Sequence, residues 1–199
     1  MNIETLKNSI SGVDIYILDQ ILKDCYQPGA KILDAGCGNG RNLKWFYEVG
    51  FEIHGTEIDR IRLQHCKDFY PQQKNNFIEA FVEQMPYESN SFDHLVCIAV
   101  LHFAHDLDHY LKMFNELLRI LKPQGSLLIR TASNIGIENE VQHLGDGIFN
   151  LPDGSTRFLL TREILEKLEA DNRFEWKEHV KTTIVHGQRA MTTLVLQKV

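Results

Sequence analysis

The chain has 199 residues, 43% of them apolar and 24% charged, the make-up of a globular protein able to bury a core, which excludes a disordered or fibrous segment. A formal charge of -6 and an isoelectric point near 5.8 argue against a broad phosphate-binding face, so a nucleic-acid partner is disfavoured. No apolar run reaches the roughly 18 residues of a membrane span, the opening MNIETLKNSI lacks the basic-then-apolar pattern of a leader, and Cys25, Cys37, Cys66 and Cys97 stand far apart, so the expectation is one reduced, cytoplasmic domain over residues 1–199 with no membrane partner and its oligomeric state open.

Residues 1–28 read as an N-terminal helical cap, with Val13, Ile17, Ile21 and Leu22 as its apolar set and Pro28-Gly29 as its stop. A strand is predicted over Lys31 to Ala35, a helix over Asn39 to Val49, a strand over Glu52 to Thr56 and a helix over Arg60 to Phe69, with Asp59 as its N-cap. Asn76 to Ala80 and Phe92 to Ala99 follow as strands, the latter with the near-continuous apolar character of a buried parallel strand. Asp106 to Leu121 carries apolar residues at helical spacing and ends before Pro123; Ser126 to Thr131 is the next strand. The segment 132–160 has weak periodicity and many glycines, and loops of that length are usually lids or binding loops. Arg162 to Ala170, capped by Thr161, reads as a helix, and Phe174 to Val180 and Ala190 to Gln197 as two strands of a closing hairpin. Alternating strands and helices predict a mostly parallel sheet covered on both faces.

The densest chemical signal is Ile32-Leu33-Asp34-Ala35-Gly36-Cys37-Gly38-Asn39-Gly40-Arg41-Asn42, at the end of the first predicted strand. Ligands bind beyond the carboxyl ends of strands in such sheets, and glycines let the backbone approach them closely. A dinucleotide site would place a third glycine where Arg41 stands, which disfavours a nicotinamide-dependent oxidoreductase. Glu57 follows Gly40 by 17 residues, at the end of the second strand, where a carboxylate can accept both hydroxyls of a ribose.

The run G-x-G-x-G preceded by Asp34 resembles motif I of class I S-adenosylmethionine-dependent methyltransferases, and GCGNGRN is similar to the tellurite-resistance-type branch of small-molecule enzymes. The resemblance implies a Rossmann-like α/β fold: seven strands, mostly parallel, with helices on both faces and a C-terminal antiparallel hairpin. It also implies S-adenosylmethionine as cofactor, held by Asp34, Gly36, Cys37, Gly38, Asn39, Gly40, Glu57 and Ile58. Aligned on Met85-Pro86, Phe81 stands where the family often has an Asp for the adenine amino group; Phe81 would cover adenine, Val82 would offer its amide, and Glu83 is a substitute polar contact. Carbonyls near Ile98 would hold the methionine ammonium. The Asn/Asp-Pro-Pro-aromatic run of enzymes that methylate base amines is missing after the fourth strand.

The implied reaction is methyl transfer to a small-molecule substrate; a catalytically silent cofactor-binding subunit is the alternative. His102, after the fourth strand, either faces substrate as a general base or packs under the lid. His143 and Arg157, in the lid segment, are the other candidate substrate contacts; a guanidinium at position 157 either holds an anionic acceptor or makes a surface ion pair. His102, His105 and His109 lack a carboxylate at ligand spacing, so no metal is expected.

Overall fold

The computed structural model describes residues 3–199; residues 1 and 2, at the start of the expected cap and domain, lie outside the described residues. In chain order the elements are α1 (Ile3–Ile10), α2 (Ile15–Leu22), β1 (Lys31–Ala35), α3 (Lys44–Glu48), β2 (Glu52–Thr56), α4 (Arg60–Phe69), β3 (Phe77–Ile78), β4 (Phe92–Ile98), α5 (Leu107–Ile120) and β5 (Leu121–Ser133). There follow β6 (Gln142–Gly145), β7 (Ile148–Asn150), β8 (Thr156–Phe158), α6 (Arg162–Glu169), β9 (Phe174–Trp176), β10 (Lys181–Val185) and β11 (Arg189–Lys198).

The main sheet runs β10-β11-β5-β4-β1-β2-β3, with β9 also paired to β11. The strands β1 to β5 are parallel, and β11 runs antiparallel to β5 and to β10. This is the Rossmann-like arrangement expected, with one short extra strand, β9. Alternation along the strands splits them between two cores. Leu33, Leu95, Leu127 and Leu194 pack under Tyr110, Phe114 and Leu117 of α5 and Ile164 of α6. Their neighbours Ile32, Val96, Leu128 and Val195 pack on the other face with Ile17 of α2, Phe46 of α3 and Leu63 of α4.

Several expectations are corrected. The cap holds two helices, broken at Gly12, and Val13 lies between them. The helix after the glycine loop is reduced to a 3-10 turn at Arg41–Leu43 and the short α3. The third strand shrinks to Phe77–Ile78, because the preceding residues wind into a 3-10 turn begun by Pro71. In β5 the ladder starts at Leu121, and a bulge through Gln124 (φ 64°) carries it from the Phe92–Leu121 pair to the His94–Ser126 pair. The hairpin's first arm is Lys181–Val185, where β-branched residues pair with β11; of the predicted arm only Phe174–Trp176 is extended.

The segment 132–160 is not irregular. It folds into a three-stranded antiparallel sheet, β6-β7-β8, over a small core of Ala132, Phe149, Leu151 and Leu159. Its first turn is Asp146-Gly147, both at positive φ (52° and 79°) between the paired Gly145 and Ile148, the geometry of a two-residue primed turn.

Asp106 and Thr161 cap α5 and α6 by accepting from the N–H groups of His109 (2.7 Å) and Ile164 (3.3 Å), and Asp59 caps α4. Because α5 supplies most of one core, Asp106→Ala is expected to lower stability by about 1 kcal/mol, read as a lower urea midpoint at unchanged m-value.

Candidate functional site

The carboxyl ends of β1 and β2 turn outward together. The N–H groups of Gly36 and Cys37 both donate to the Thr56 carbonyl, at 2.9 and 2.8 Å. Beyond them Glu57 collects three backbone donors: Gly38 N–H at 2.8 Å on one oxygen, and Ile58 and Asp59 N–H at 2.9 Å each on the other. Gly38 (φ 55°) has nothing within 4 Å of where a Cβ would stand, so the loop leaves open space there. Gly40 (φ 75°) serves packing instead: a Cβ would lie 2.8 Å from the Tyr70 ring and 3.0 Å from the Cys66 sulfur. Tyr70 Oη donates to the Gly40 carbonyl at 2.5 Å, and Cys66 Sγ to that of Gly38 at 3.2 Å.

Around this loop lies a cavity of about 850 Å³. Gly36, Cys37, Gly38 and Asn39 form one wall, Glu57 and Ile58 the second, Phe81, Val82 and Glu83 the third, and Ile98 closes the floor. These predicted residues are thus brought together. Phe81 is 61% exposed, so its ring is a wall of the cavity and not a core residue. Cys37 and Cys66 are free thiols with sulfurs 3.9 Å apart, and the hydrogen bond with the Cys66 thiol, together with burial, pushes the Cys37 thiol far up.

Asp34 and Gly40 stand behind the wall and do not line the cavity. Asp34 is buried on the face covered by the N-terminal cap, and neither carboxyl oxygen makes a hydrogen bond of good geometry. Burial pushes it up to about 7, only partly opposed by the Asn42 amide and the Arg41 charge. Asn42 in turn accepts the Asp14 N–H at 3.1 Å, and the Asp14 carboxylate, buried, meets Arg130 at 3.2 Å.

His102 does not fit the role of general base. It is buried, its Nδ1 accepts the Ala132 N–H at 3.3 Å, and burial together with the Arg157 charge pushes it down to about 4. The neutral ring therefore carries its proton on Nε2 and is a donor. Its neighbour Phe103 is 61% exposed and does line the cavity. Arg157 lies over the Phe103 ring, 5.2 Å from its centroid. His143 is not brought to this cavity: it packs on Phe149 and lines a separate one of about 610 Å³ beside α6. No group of three or more metal-ligating side chains occurs among the described residues.

Sequence reasoning missed half of the cavity's lining residues, among them Arg41, Ala99, Phe103, His109 and Met113. His109 and Met113 were legible as one helical face pointing the same way as Phe103. Ala99 was not: its φ of 61° is a backbone strain visible only in the fold, where its N–H donates to the Arg130 carbonyl at 2.8 Å.

Residues 33–129 match the family described as methyltransferase domain. The probable tRNA methyltransferase 9B of Mus musculus is 28% identical over 113 residues, which are 55% of this chain and 23% of that protein. Malonyl-[acyl-carrier protein] O-methyltransferase of Salmonella typhimurium is 29% identical over 102 residues, 51% of this chain and 39% of that one. The chain thus spans well under half the length of these relatives. A solved SAM-dependent methyltransferase from Methanosarcina mazei shares the fold at TM-score 0.73 and 20% identity, over 90% of this chain and 97% of that one. Residues 33–129, just under half of the chain, are thus similar to methyltransferase domains, and the fold is the one that solved structure has.

The folded chain holds the Asp34 proton to about 7, whereas an unfolded Asp releases it near 3.8. The folded state therefore binds more protons in this window, and stability falls as pH rises through it. Wild type is expected to lose on the order of 2 kcal/mol between pH 5 and pH 8 relative to Asp34→Asn, read by urea unfolding at both pH values. Parallel pH profiles for the two proteins would show Asp34 to be ionised throughout.

Proposed function

We propose that this protein binds S-adenosylmethionine in the 850 Å³ cavity and methylates a small-molecule acceptor. The observation that carries the reading is the pairing of Gly38 and Glu57: an open Cβ position on one loop, tied by its own N–H to a carboxylate on the next. Such a pair leaves room for a ribose against the backbone and an acceptor for its hydroxyls. Phe81 offers a ring face to the adenine, the Val82 amide a donor, and carbonyls near Ile98 acceptors for an ammonium. Glu83 is drawn away from that role by His109, 3.3 Å from it. The bound cofactor supplies an electrophilic methyl group on a sulfonium, so the chain's task is to position the acceptor and exclude water.

A small molecule is favoured over nucleic acid by the net charge of -6 and by the cavity's mouth, where Phe81, Phe103 and Ile58 expose apolar surface. The GCGNGRN run supports the tellurite-resistance-type branch, and the free cysteines a reducing compartment such as the cytoplasm. No described helix is long and apolar enough to cross a membrane. The meander β6-β7-β8 is the substrate lid in this reading, and residues 1–28 the cap.

Methyl transfer from labelled S-adenosylmethionine across a metabolite panel, with tRNA as a comparison arm, tests the reaction. Transfer to tRNA alone would overturn the small-molecule reading; binding without any transfer would leave a silent module. In calorimetry with S-adenosylhomocysteine, Glu57→Gln is expected to weaken binding about ten- to a hundredfold, since a hydrogen bond to a charged group contributes roughly 1.5 to 3 kcal/mol. Gly38→Val should abolish it by filling the ligand's space, with the melting temperature checking that each variant is folded. Phe81→Asp should leave binding intact or improve it, because a carboxylate there exchanges the ring face for an acceptor to the adenine amino group, and the fold should survive because the ring is exposed on the cavity wall.

A further inference from the structure

Arginine usage on this acidic protein is uneven. Arg60, Arg62, Arg119, Arg130, Arg162 and Arg173 each sit within ion-pair distance of a carboxylate. Arg157, like Arg41 and Arg189, makes no such pair among the described residues; its Nη1 donates only to the Thr156 carbonyl, at 2.7 Å. The nearby Asp153 carboxylate is occupied by the N–H and hydroxyl of Ser155. The register of the meander sets His143, Phe149 and Arg157 in one cross-strand row, so the guanidinium projects from the same face as the Phe149 ring. There it reaches over Phe103, whose exposed ring lines the cofactor cavity.

Beneath it, the other residue of this corner is also short of a partner. His102 Nδ1 is taken by the Ala132 N–H, and Nε2 makes no hydrogen bond within the described chain. The two meet at Phe103: the guanidinium lies over its ring, the His102 ring packs against it at 4.7 Å between centroids, and Phe103 lines the cofactor cavity although neither Arg157 nor His102 itself does. His109, the imidazole on the cavity's other side, is arranged alike: its Nδ1 accepts the His105 N–H at 3.4 Å, which leaves Nε2 toward Glu83. Both rings are donors when neutral, and neither is free to take a proton from an acceptor.

We propose that Arg157 and the Nε2–H of His102 form an anion clamp at the mouth of the cofactor cavity, and that the acceptor is a small molecule bearing a carboxylate on an apolar body. This rests on reading the cavity as the S-adenosylmethionine site. A planar fork plus one further donor matches the two oxygens of a carboxylate. A phosphate dianion would call for additional cations, and here the Asp153 carboxylate offsets the nearby Arg189. The apolar body would lie on Phe103 and toward Phe81, both of which expose their rings. An acceptor that arrives ionised also suits a corner whose histidines donate.

The test is calorimetric and does not need turnover. The wild-type protein saturated with S-adenosylhomocysteine is titrated with benzoate, salicylate and indole-3-acetate, and with benzamide, salicylamide and indole-3-acetamide. At least one acid is expected to bind about tenfold or more tightly than its amide, a preference that Arg157→Gln removes and Arg157→Lys partly keeps. S-adenosylhomocysteine affinity and melting temperature should stay at wild-type values in both variants. If no acid binds, if acids and amides bind equally, or if Arg157→Gln leaves the preference unchanged, the clamp is wrong while the cofactor reading stands. If S-adenosylhomocysteine itself fails to bind wild type, it is the cofactor reading that falls.

Discussion

Glu57 engages three backbone N–H groups, and the shape of the cavity follows from where that carboxylate can stand. Two parallel strands deliver their carboxyl ends side by side, already joined by the two N–H groups that Thr56 accepts. Past that point the chains must separate, and each exposes amides without ladder partners. A carboxylate with its two oxygens shared between Gly38 on one turn and Ile58 and Asp59 on the other satisfies both sides at once. Charge-assisted bonds of this kind are about twice as strong as neutral ones, and they fix the loop before any ligand arrives. The remaining anchors act from below: the Tyr70 hydroxyl and the Cys66 thiol hold the carbonyls of Gly40 and Gly38 against α4, and only a residue without Cβ fits at position 40.

The same geometry accounts for the odd position of Asp34. Alternation along β1 sends Leu33 and Ala35 toward α5 and places Ile32 and Asp34 on the face of α2 and α3. A carboxyl group in that face lies among Asn42, Arg41 and Asp14, and burial without a good hydrogen bond keeps it protonated far above the usual carboxylate range. Its neighbours connect the loop to the N-terminal cap: Asn42 holds the first turn of α2 through Asp14, Arg130 of β5 pairs with the same Asp14, and the Tyr16 ring covers the Arg130 guanidinium at 5.5 Å. The N-terminal helices are therefore coupled to the glycine loop by polar contacts as well as by the apolar packing of Ile17.

How much of this was legible in the sequence depended on length and on locality. The runs at Lys31–Ala35, Glu52–Thr56 and Leu107–Ile120, with the caps at Asp59, Asp106 and Thr161, could be read because period and capping are local properties that agree with the final packing. The glycine loop and Glu57 were legible because their spacing reflects strand and helix lengths in a parallel sheet. The meander was not, since strands of three or four residues offer too few positions for alternation to show; the Asp146-Gly147 turn was its one available signal. The true hairpin arm at Lys181–Val185 lost to the aromatic Phe174–Trp176, although the β-branched run was the better strand former. Asp34's withdrawal from the cavity and the strain at Ala99 depend on contacts across the sheet, which no local pattern records.

His102 shows the same limit at the level of chemistry. Its place directly after β4 could be read from the sequence, yet a residue type does not determine whether an imidazole gives or takes a proton. That depends on which ring nitrogen the fold has already engaged, and here β5 offers the Ala132 N–H to Nδ1 just where the strand leaves the sheet for the meander. Only an unprotonated ring nitrogen can accept a backbone N–H, so Nδ1 carries no proton and the neutral ring offers its N–H from Nε2. Arg157, carried in from the meander, adds its charge and holds the ring neutral. The corner beside the 850 Å³ cavity thereby presents a guanidinium and a ring N–H, groups that give hydrogen bonds and do not take a proton.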